Sequence, residues 1–173
     1  MKKADNSSGS TGTFQTHGFG PLYDENSRIL VLGSFPSVKS REDGFYYGHP
    51  RNRFWPLMAA LTEEPVPQTI EEKRAMLLKH RIALWDSIES CVITASSDSS
   101  IRDITPTEIG RITGSCEIRK ILCNGATSWK YYNRYLKPVA DIEAVRLPST
   151  SPANAAWSLE RLIQVWRDAF TEV

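Results

Sequence analysis

The chain has 173 residues, of which 40% are apolar and 10% aromatic, and its formal net charge is +1. That length supports one well-buried core and is short for two, so we expect a single domain over residues 14–173. A charge so close to zero excludes a protein that binds nucleic acid through overall positive charge, and any electrostatic site must be local.

The N-terminal residues MKKADNSSGSTGT are rich in Ser, Gly and Thr and predict a disordered tail over residues 1–13. They lack the apolar segment of a signal peptide, and no later stretch approaches the roughly 18 apolar residues of a membrane span. Cys91, Cys116 and Cys123 lie far apart without a CxxC pair, which argues against zinc, an iron–sulfur cluster or a disulfide framework. We therefore expect a cytoplasmic monomer that needs no metal, cofactor or membrane.

Apolar runs bounded by turn residues predict four strands, namely Ile29–Leu32, Ile82–Trp85, Lys120–Cys123 and Ala144–Leu147. Helical patterns lie between the strands. One helix is predicted over residues 53–61 with Asn52 as its cap, and capping-box spacing predicts helices that start after Thr69 and after Thr105-Pro106. Two more helices are predicted over residues 127–136 and 155–170. Strands that alternate with helices predict an α/β fold with a parallel sheet covered on both faces.

Three predicted loops share one composition. In a parallel sheet of this kind, ligands bind beyond the carboxyl ends of the strands. There the first strand is followed by GSFPS and HPRNRFW, the second by WDSIESCVITASSDSSIRD and the fourth by LPSTSPAN. Their small hydroxyls, amides, glycines and prolines suit an oxygen-rich ligand.

The first of these regions, residues 31–55, also combines aromatic with basic side chains. Its basic residues are Lys39, Arg41, Arg51 and Arg53, and its acidic residues are Glu42 and Asp43. The combination indicates a ligand that is flat and negatively charged, although a charged loop can also be merely solvated.

The loop sequences resemble the uracil-DNA glycosylase superfamily from about Arg28 to Ala169. Gly33 to Pro36 matches the first motif of that family, and the Pro-Ser of LPSTSPAN matches the second. HPRNRFW is similar to a segment of the mismatch-specific uracil/thymine branch. The combination of GSFPS, YYGHPRNRFW, SSDSSI and LPSTSPAN is most similar to the hypoxanthine-DNA glycosylases.

The resemblance implies a three-layer α/β/α sandwich around a four-stranded parallel sheet. It also implies a monofunctional DNA glycosylase that hydrolyses the N-glycosidic bond of a deaminated base flipped out of DNA, in base-excision repair. Hypoxanthine is the expected base and uracil is possible. The expected partner is DNA that contains such a base.

Two positions depart from the pattern of the family. Most branches have Asp or Asn at the third position of the first motif, where it positions the attacking water, and this chain has Phe35. The first position of the second motif is often His or Asn, placed to stabilise the leaving base, and this chain has Leu147. Either the protein is a weakened relative or another residue has taken over.

We expect Asn52 to be that catalytic residue, because an amide can accept a hydrogen bond from water while donating one to a base oxygen. An N-cap for the following helix is its alternative role. The expected base-binding residues are Phe35, Ser34, Tyr47, Asp86 and Asp98. Phe35 can stack on a base or belong to the core, and the two aspartates can read a base edge or bond to loop backbone.

The expected contacts to the DNA backbone come from small hydroxyls and basic side chains, namely Ser37, Lys39, Arg51, Arg53, Ser149, Thr150 and Ser151. His49 before Pro50 is either a turn residue or a phosphate contact. Two functions from other classes remain open, a non-catalytic module that binds damaged or single-stranded nucleic acid and a hydrolase of free nucleosides.

Overall fold

A computed structural model describes residues 12–171 of the chain. Of the tail expected over residues 1–13, residues 1–11 lie outside the described part, and Thr13 already begins a strand. The strands are β1 (Thr13–Thr16), β2 (Ile29–Gly33), β3 (Ile82–Asp86), β4 (Ile88–Ile93), β5 (Arg102–Pro106), β6 (Lys120–Asn124) and β7 (Ala144–Leu147). The α-helices are α1 (Val38–Asp43), α2 (Phe54–Thr62), α3 (Ile70–Lys79), α4 (Gly110–Thr113), α5 (Ala126–Tyr131), α6 (Lys137–Ala140) and α7 (Leu159–Phe170).

The central sheet is parallel and has the strand order β3-β2-β6-β7. Every residue of β2 and β3 is buried, as expected for continuous apolar runs covered on both faces. All four strands lie where the sequence predicts them. The predicted α/β fold around a four-stranded parallel sheet is confirmed.

A second sheet, antiparallel with the order β1-β4-β5, was not predicted. Strand β4 begins two residues after β3 ends, within a stretch assigned above to a loop. Ser87 joins the two strands, and its N–H donates to the carbonyl of Gly33 at 2.8 Å. The second sheet therefore extends directly from the carboxyl end of β3.

Several helix boundaries follow local capping chemistry. Thr69 and Glu72 form the predicted capping box of α3. The capping box predicted at Thr105-Pro106 is wrong, because both residues belong to β5 and pair with β4, and the helix that follows them, α4, starts only at Gly110. Helix α1 was not predicted; the Ser37 side chain caps its start, and Gly44 ends it in the left-handed conformation.

The remaining two predicted helices are interrupted or shorter than expected. A π-helical segment, Tyr132–Leu136, follows α5 directly. Helix α7 begins at Leu159 rather than Ala155, and Ser158 caps it.

The main core surrounds the parallel sheet. Its fully buried side chains include Leu30, Leu32, Phe54, Leu84 and Trp166. Helices α2 and α7 contact each other, which brings the segment before α2 close to the loop before α7. No helix in the described part of the chain is long and apolar enough to cross a membrane.

Candidate active site

A cavity of about 870 Å³ lies at the carboxyl ends of the parallel strands. It is lined by Gly33–Ser37, Tyr46, Tyr47, His49, Asn52, Asp86, residues 96–99, Asn124–Ala126, residues 146–154 and Trp157. The three loops selected from the sequence therefore meet at one cavity. Strand β6 also contributes, through Asn124.

Asn52 lies in the wall of this cavity, immediately before α2. Its Oδ1 accepts a hydrogen bond from the N–H of Phe54 at 3.0 Å. Because that N–H can only donate, the amide oxygen must face it, and the orientation of the amide is fixed. The Nδ2 group makes no hydrogen bond within residues 12–171. The N-cap position of α2 is thus Arg53, and Asn52, one residue earlier, supports the start of the helix from outside while it keeps a donor for a ligand.

Aromatic rings form one wall. Tyr47 stacks on Phe54 with ring centroids 4.0 Å apart, and its hydroxyl accepts from Nδ2 of Asn124 at 3.2 Å. Burial raises the pKa of the Tyr47 hydroxyl well above its ordinary value, so it stays protonated. Tyr47 also has a positive φ of 52°, which marks a backbone position held by its surroundings.

Phe35 lines the cavity and is also a core residue. It is only 8% exposed and packs in a small cluster with Ile88, Cys91 and Tyr131. The guanidinium of Arg41 lies over its ring, 5.4 Å from the centroid. Phe35 is therefore a core residue that also borders the cavity, and its stacking on a base stays a prediction.

The two aspartates have different environments. Asp86 is buried at the end of β3, and its Oδ2 lies 2.7 Å from Nε2 of His17. Asp98 belongs to an exposed loop, but its carboxyl group points inward, where both oxygens lie 3.0 Å from the Ser34 hydroxyl. Desolvation raises the pKa of the Asp98 carboxyl, an effect that the Ser34 hydrogen bond only partly offsets. The hydrogen bonds found for both carboxylates go to side chains rather than to loop backbone.

The hydrogen bonds of Arg53 argue against the phosphate contact expected for it. Its guanidinium donates to the carbonyl oxygens of Thr150, Ser151, Asn154 and Trp157. Four of its five N–H donors are bound to carbonyls, so the bidentate fork that usually binds a phosphate is no longer available. Arg53 instead fastens the LPSTSPAN loop to the start of α2.

Two of the hydroxyls expected at phosphates are also engaged within the protein. Thr150 is buried, and both its N–H and its side chain are bonded to Asn124. Ser37 caps α1, where its hydroxyl accepts from the Ser40 N–H and donates to the Ser40 hydroxyl. The Ser37 hydroxyl has thus already donated its proton, and the Thr150 hydroxyl is fully buried, which disfavours a phosphate contact for both.

The other expected phosphate contacts remain available to different degrees. Ser149 and Ser151 line the cavity and accept hydrogen bonds from nearby N–H groups, so each hydroxyl proton can still be donated. Arg51 is exposed. Lys39 is paired with Asp43 at 2.8 Å and does not line the cavity, but an exposed pair of this kind is weak and exchangeable.

Three site residues were not found from the sequence. Asn124 resembles a helix cap in the sequence, and in the structure it links Tyr47 to Thr150. Arg146 is exposed at the cavity beside the second motif, where its place before Leu147 was the available signal. His17 had no local signal, because a lone His after a polar stretch resembles a loop residue. Within residues 12–171, no group of three or more His, Cys, Asp or Glu could hold a metal ion.

Comparison with known proteins agrees with this arrangement of motifs around a cavity. The family model described as the uracil DNA glycosylase superfamily matches residues 21–170. The chain belongs to the uracil DNA glycosylase superfamily. It is accordingly a DNA glycosylase, an enzyme that hydrolyses an N-glycosidic bond.

Individual members of the superfamily are similar over most of their length. A hypoxanthine DNA glycosylase of Methanosarcina acetivorans is 38% identical over 149 residues, which cover 83% of this chain and 91% of the relative. A second protein of that name, from Methanosarcina barkeri, is 32% identical and covers 88% of this chain and 96% of the relative. A solution NMR structure from M. acetivorans, described as a candidate uracil DNA glycosylase, has a TM-score of 0.78 and 32% identity, covering 91% of this chain and 97% of that one.

Proposed function

We propose that this glycosylase removes hypoxanthine, with uracil as a second possible base, from DNA in base-excision repair. The observation that carries the proposal is the cavity at the ends of the parallel strands, in which aromatic walls, a directed amide and small hydroxyls converge. It is large enough for a nucleotide taken out of the base stack. Similarity to two proteins named hypoxanthine DNA glycosylase supports the choice of base.

The proposed binding of the base uses rings and polar groups on different elements. Phe35 and Tyr47 provide apolar surface, and stacking on an aromatic ring contributes roughly 1–3 kcal/mol per base. The linked pair Ser34 and Asp98 faces the same space and can accept from the N–H groups of a base edge.

The proposed chemistry relies on electrostatics. Cleavage of an N-glycosidic bond passes through a sugar cation and leaves negative charge on the departing base. The unpaired Nδ2 of Asn52 can donate to an oxygen or nitrogen of that base as its charge develops. A positioned donor of this kind is typically worth about 10²–10³-fold in rate.

Contacts to the DNA backbone are proposed for two serines that line the cavity and for three exposed basic residues in the same segments of the chain. Ser149 and Ser151 retain donors, and Lys39, Arg51 and Arg146 supply positive charge. Such contacts fix the position of the duplex without reading its sequence.

We further propose that the enzyme is monofunctional. No lysine lines the cavity among the described residues, so no amine is placed to attack the sugar. Borohydride added during the reaction should therefore trap no covalent protein–DNA complex. A trapped band on a denaturing gel would contradict direct hydrolysis.

The test of the function is base release from a panel of oligonucleotides that carry hypoxanthine, uracil, xanthine or mismatched thymine, with alkali used to cleave the resulting abasic sites. We expect the fastest release of hypoxanthine. Binding without release would identify a non-catalytic module instead. Strong hydrolysis of free inosine with none of the oligonucleotides would identify a nucleoside hydrolase.

A further inference from the structure

His17 and Asp86 form a buried pair beside the cavity, and neither residue has a role in the chemistry proposed above. His17 is 0% exposed and Asp86 is 4% exposed. Nε2 of His17 contacts Oδ2 of Asp86, and Nδ1 contacts the carbonyl oxygen of Phe19. The rings of Phe19 and Tyr46 pack against the imidazole and hold its orientation.

The protonation state of His17 follows from its two contacts. A carbonyl oxygen can only accept, so Nδ1 must carry a proton. Burial lowers the pKa of His17, but the hydrogen bond and charge of Asp86 and the carbonyl of Phe19 together outweigh it and raise the pKa above the ordinary 6.5. Because both ring nitrogens face oxygen atoms that act as acceptors, the geometry favours an imidazolium that donates to the Asp86 carboxylate.

The second oxygen of Asp86 is directed differently. Oδ1 makes no hydrogen bond within residues 12–171, and Asp86 lines the cavity. A Cβ built at Gly33 would lie 2.3 Å from Oδ1 and 3.0 Å from the Tyr47 hydroxyl. The absence of a side chain at Gly33 thus leaves room for this oxygen at the start of the first motif.

The strand register explains why Asp86 can replace a missing group. Asp86 pairs with Gly33 across β2 and β3, two residues from Phe35, where most of the superfamily has a polar residue. Asp98 is less suitable for this role, because both of its oxygens already contact the Ser34 hydroxyl.

We propose that Asp86 is a further catalytic residue that holds the attacking water through Oδ1, and that His17 is a positioning residue that fixes and charges Asp86. The inference rests on the proposed function. The water oxygen bonds to C1′ of the sugar as the C1′–N bond breaks and its electron pair leaves with the base. The surplus water proton passes to Oδ1 and then through cavity water to the departed base, which regenerates the carboxylate.

The test compares single-turnover release of hypoxanthine by wild type, Asp86→Asn and His17→Gln, with DNA affinity and thermal midpoint measured on the same preparations. Asp86→Asn should slow release by about 10²-fold or more while binding is retained. His17→Gln keeps a donor for Asp86 but loses the charge, and should slow release by about tenfold. His80→Gln is the matched control, because it removes a second His–carboxylate pair, His80 with Glu64, outside the cavity.

The dependence of the rate on pH shows whether His17 positions and charges Asp86 or only stabilises the fold. Wild-type release should fall as rising pH deprotonates His17, and His17→Gln should lack this fall. The other titratable or charged groups near the pair are Glu89, Tyr46, Tyr47, Asp98 and Arg41. These groups are the same in wild type and in His17→Gln, so the difference between the two pH profiles reports on His17. A His49→Gln profile, recorded in parallel, shows what the histidine that lines the cavity contributes.

The protonation of the His17 ring can also be measured by nitrogen NMR on the wild-type protein, so this test does not depend on the folding of any variant. Both ring nitrogens should be protonated at pH 7, and a neutral ring there would overturn the proposal. An active wild type with an equally active Asp86→Asn would overturn this inference alone. A wild type that releases no base from any oligonucleotide would overturn the proposed function and this inference with it.

Discussion

Asn52 carries two polar groups that the structure uses separately. The oxygen is committed to the Phe54 N–H at the start of α2, and the nitrogen remains unbonded within the described residues. Its capping and catalytic roles, considered above as alternatives, are therefore compatible. They can be separated by substitution.

Asn52→Asp retains an oxygen for the Phe54 N–H but has no N–H to donate. We expect base release to fall by roughly 10²-fold, as in Asn52→Ala, while the thermal midpoint stays near that of wild type. Asn52→Ala should additionally lose about 0.5–2 kcal/mol of stability. Single-turnover rates and thermal melts on the same samples measure both effects.

The result that would contradict this assignment is an Asn52→Asp variant with wild-type rates, which would point to water held by the oxygen. A destabilised Asn52→Ala variant with wild-type chemistry would leave the residue with its capping role alone.

At the scale of elements, the HPRNRFW segment contains two arginines with different surroundings. Arg51 is exposed, whereas Arg53 donates to four carbonyls of the LPSTSPAN loop. Spacing alone could not separate them, because the carbonyls that bind Arg53 come from a distant part of the chain. Of these two neighbouring charges, Arg53 holds a loop in place and Arg51 stays available for the proposed contact to DNA.

We expect Arg51→Ala to weaken binding to all DNA sequences and to reduce the slope of log affinity against log salt by about one unit, with an unchanged thermal midpoint. Arg53→Ala should instead lose at least about 2 kcal/mol of stability, because partly buried carbonyls lose a charged donor. Its salt slope should stay near that of wild type. Titrations at several salt concentrations and thermal melts measure the two variants side by side.

An Arg53→Ala protein of wild-type stability with a reduced salt slope would return Arg53 to the phosphate contacts. Arg53→Lys is a useful companion, since it keeps the charge and loses the fork of donors that reaches several carbonyls.

At the scale of the whole molecule, the His17–Asp86 pair links the first strand segment to the end of β3. A histidine whose pKa is raised by folding stabilises the protein fully below its unfolded pKa, and this contribution is lost as pH rises through the folded pKa. We therefore expect the thermal midpoint of wild type, relative to His17→Gln, to decline as pH rises above about 6.5. Each unit of pKa difference corresponds to about 1.4 kcal/mol.

Thermal melts of both proteins across pH 5.5–9, in about one-unit steps, test this linkage. A midpoint difference that is constant across the range would show that His17 does not change its proton affinity on folding.

The parallel sheet could be predicted because each strand is a continuous apolar run between turn residues. The antiparallel sheet could not, since β5 is largely exposed and β4 follows β3 with only Ser87 between them. The loops that form the cavity were predictable from their composition and strand positions. His17 was not, because its partner Asp86 lies 69 residues away and nothing in its own neighbourhood reveals the pairing.

Arg53 holds the LPSTSPAN loop against the start of α2, and this contact also determines how the site is assembled. The contacts from Arg53 span 97 to 104 residues, so closing them costs more chain entropy than any local turn. During synthesis, the first motif, α2 and β3 all emerge well before the carbonyls that Arg53 binds. The cavity therefore cannot be complete until residues 146–157, which supply those carbonyls and one of its walls, have been synthesised.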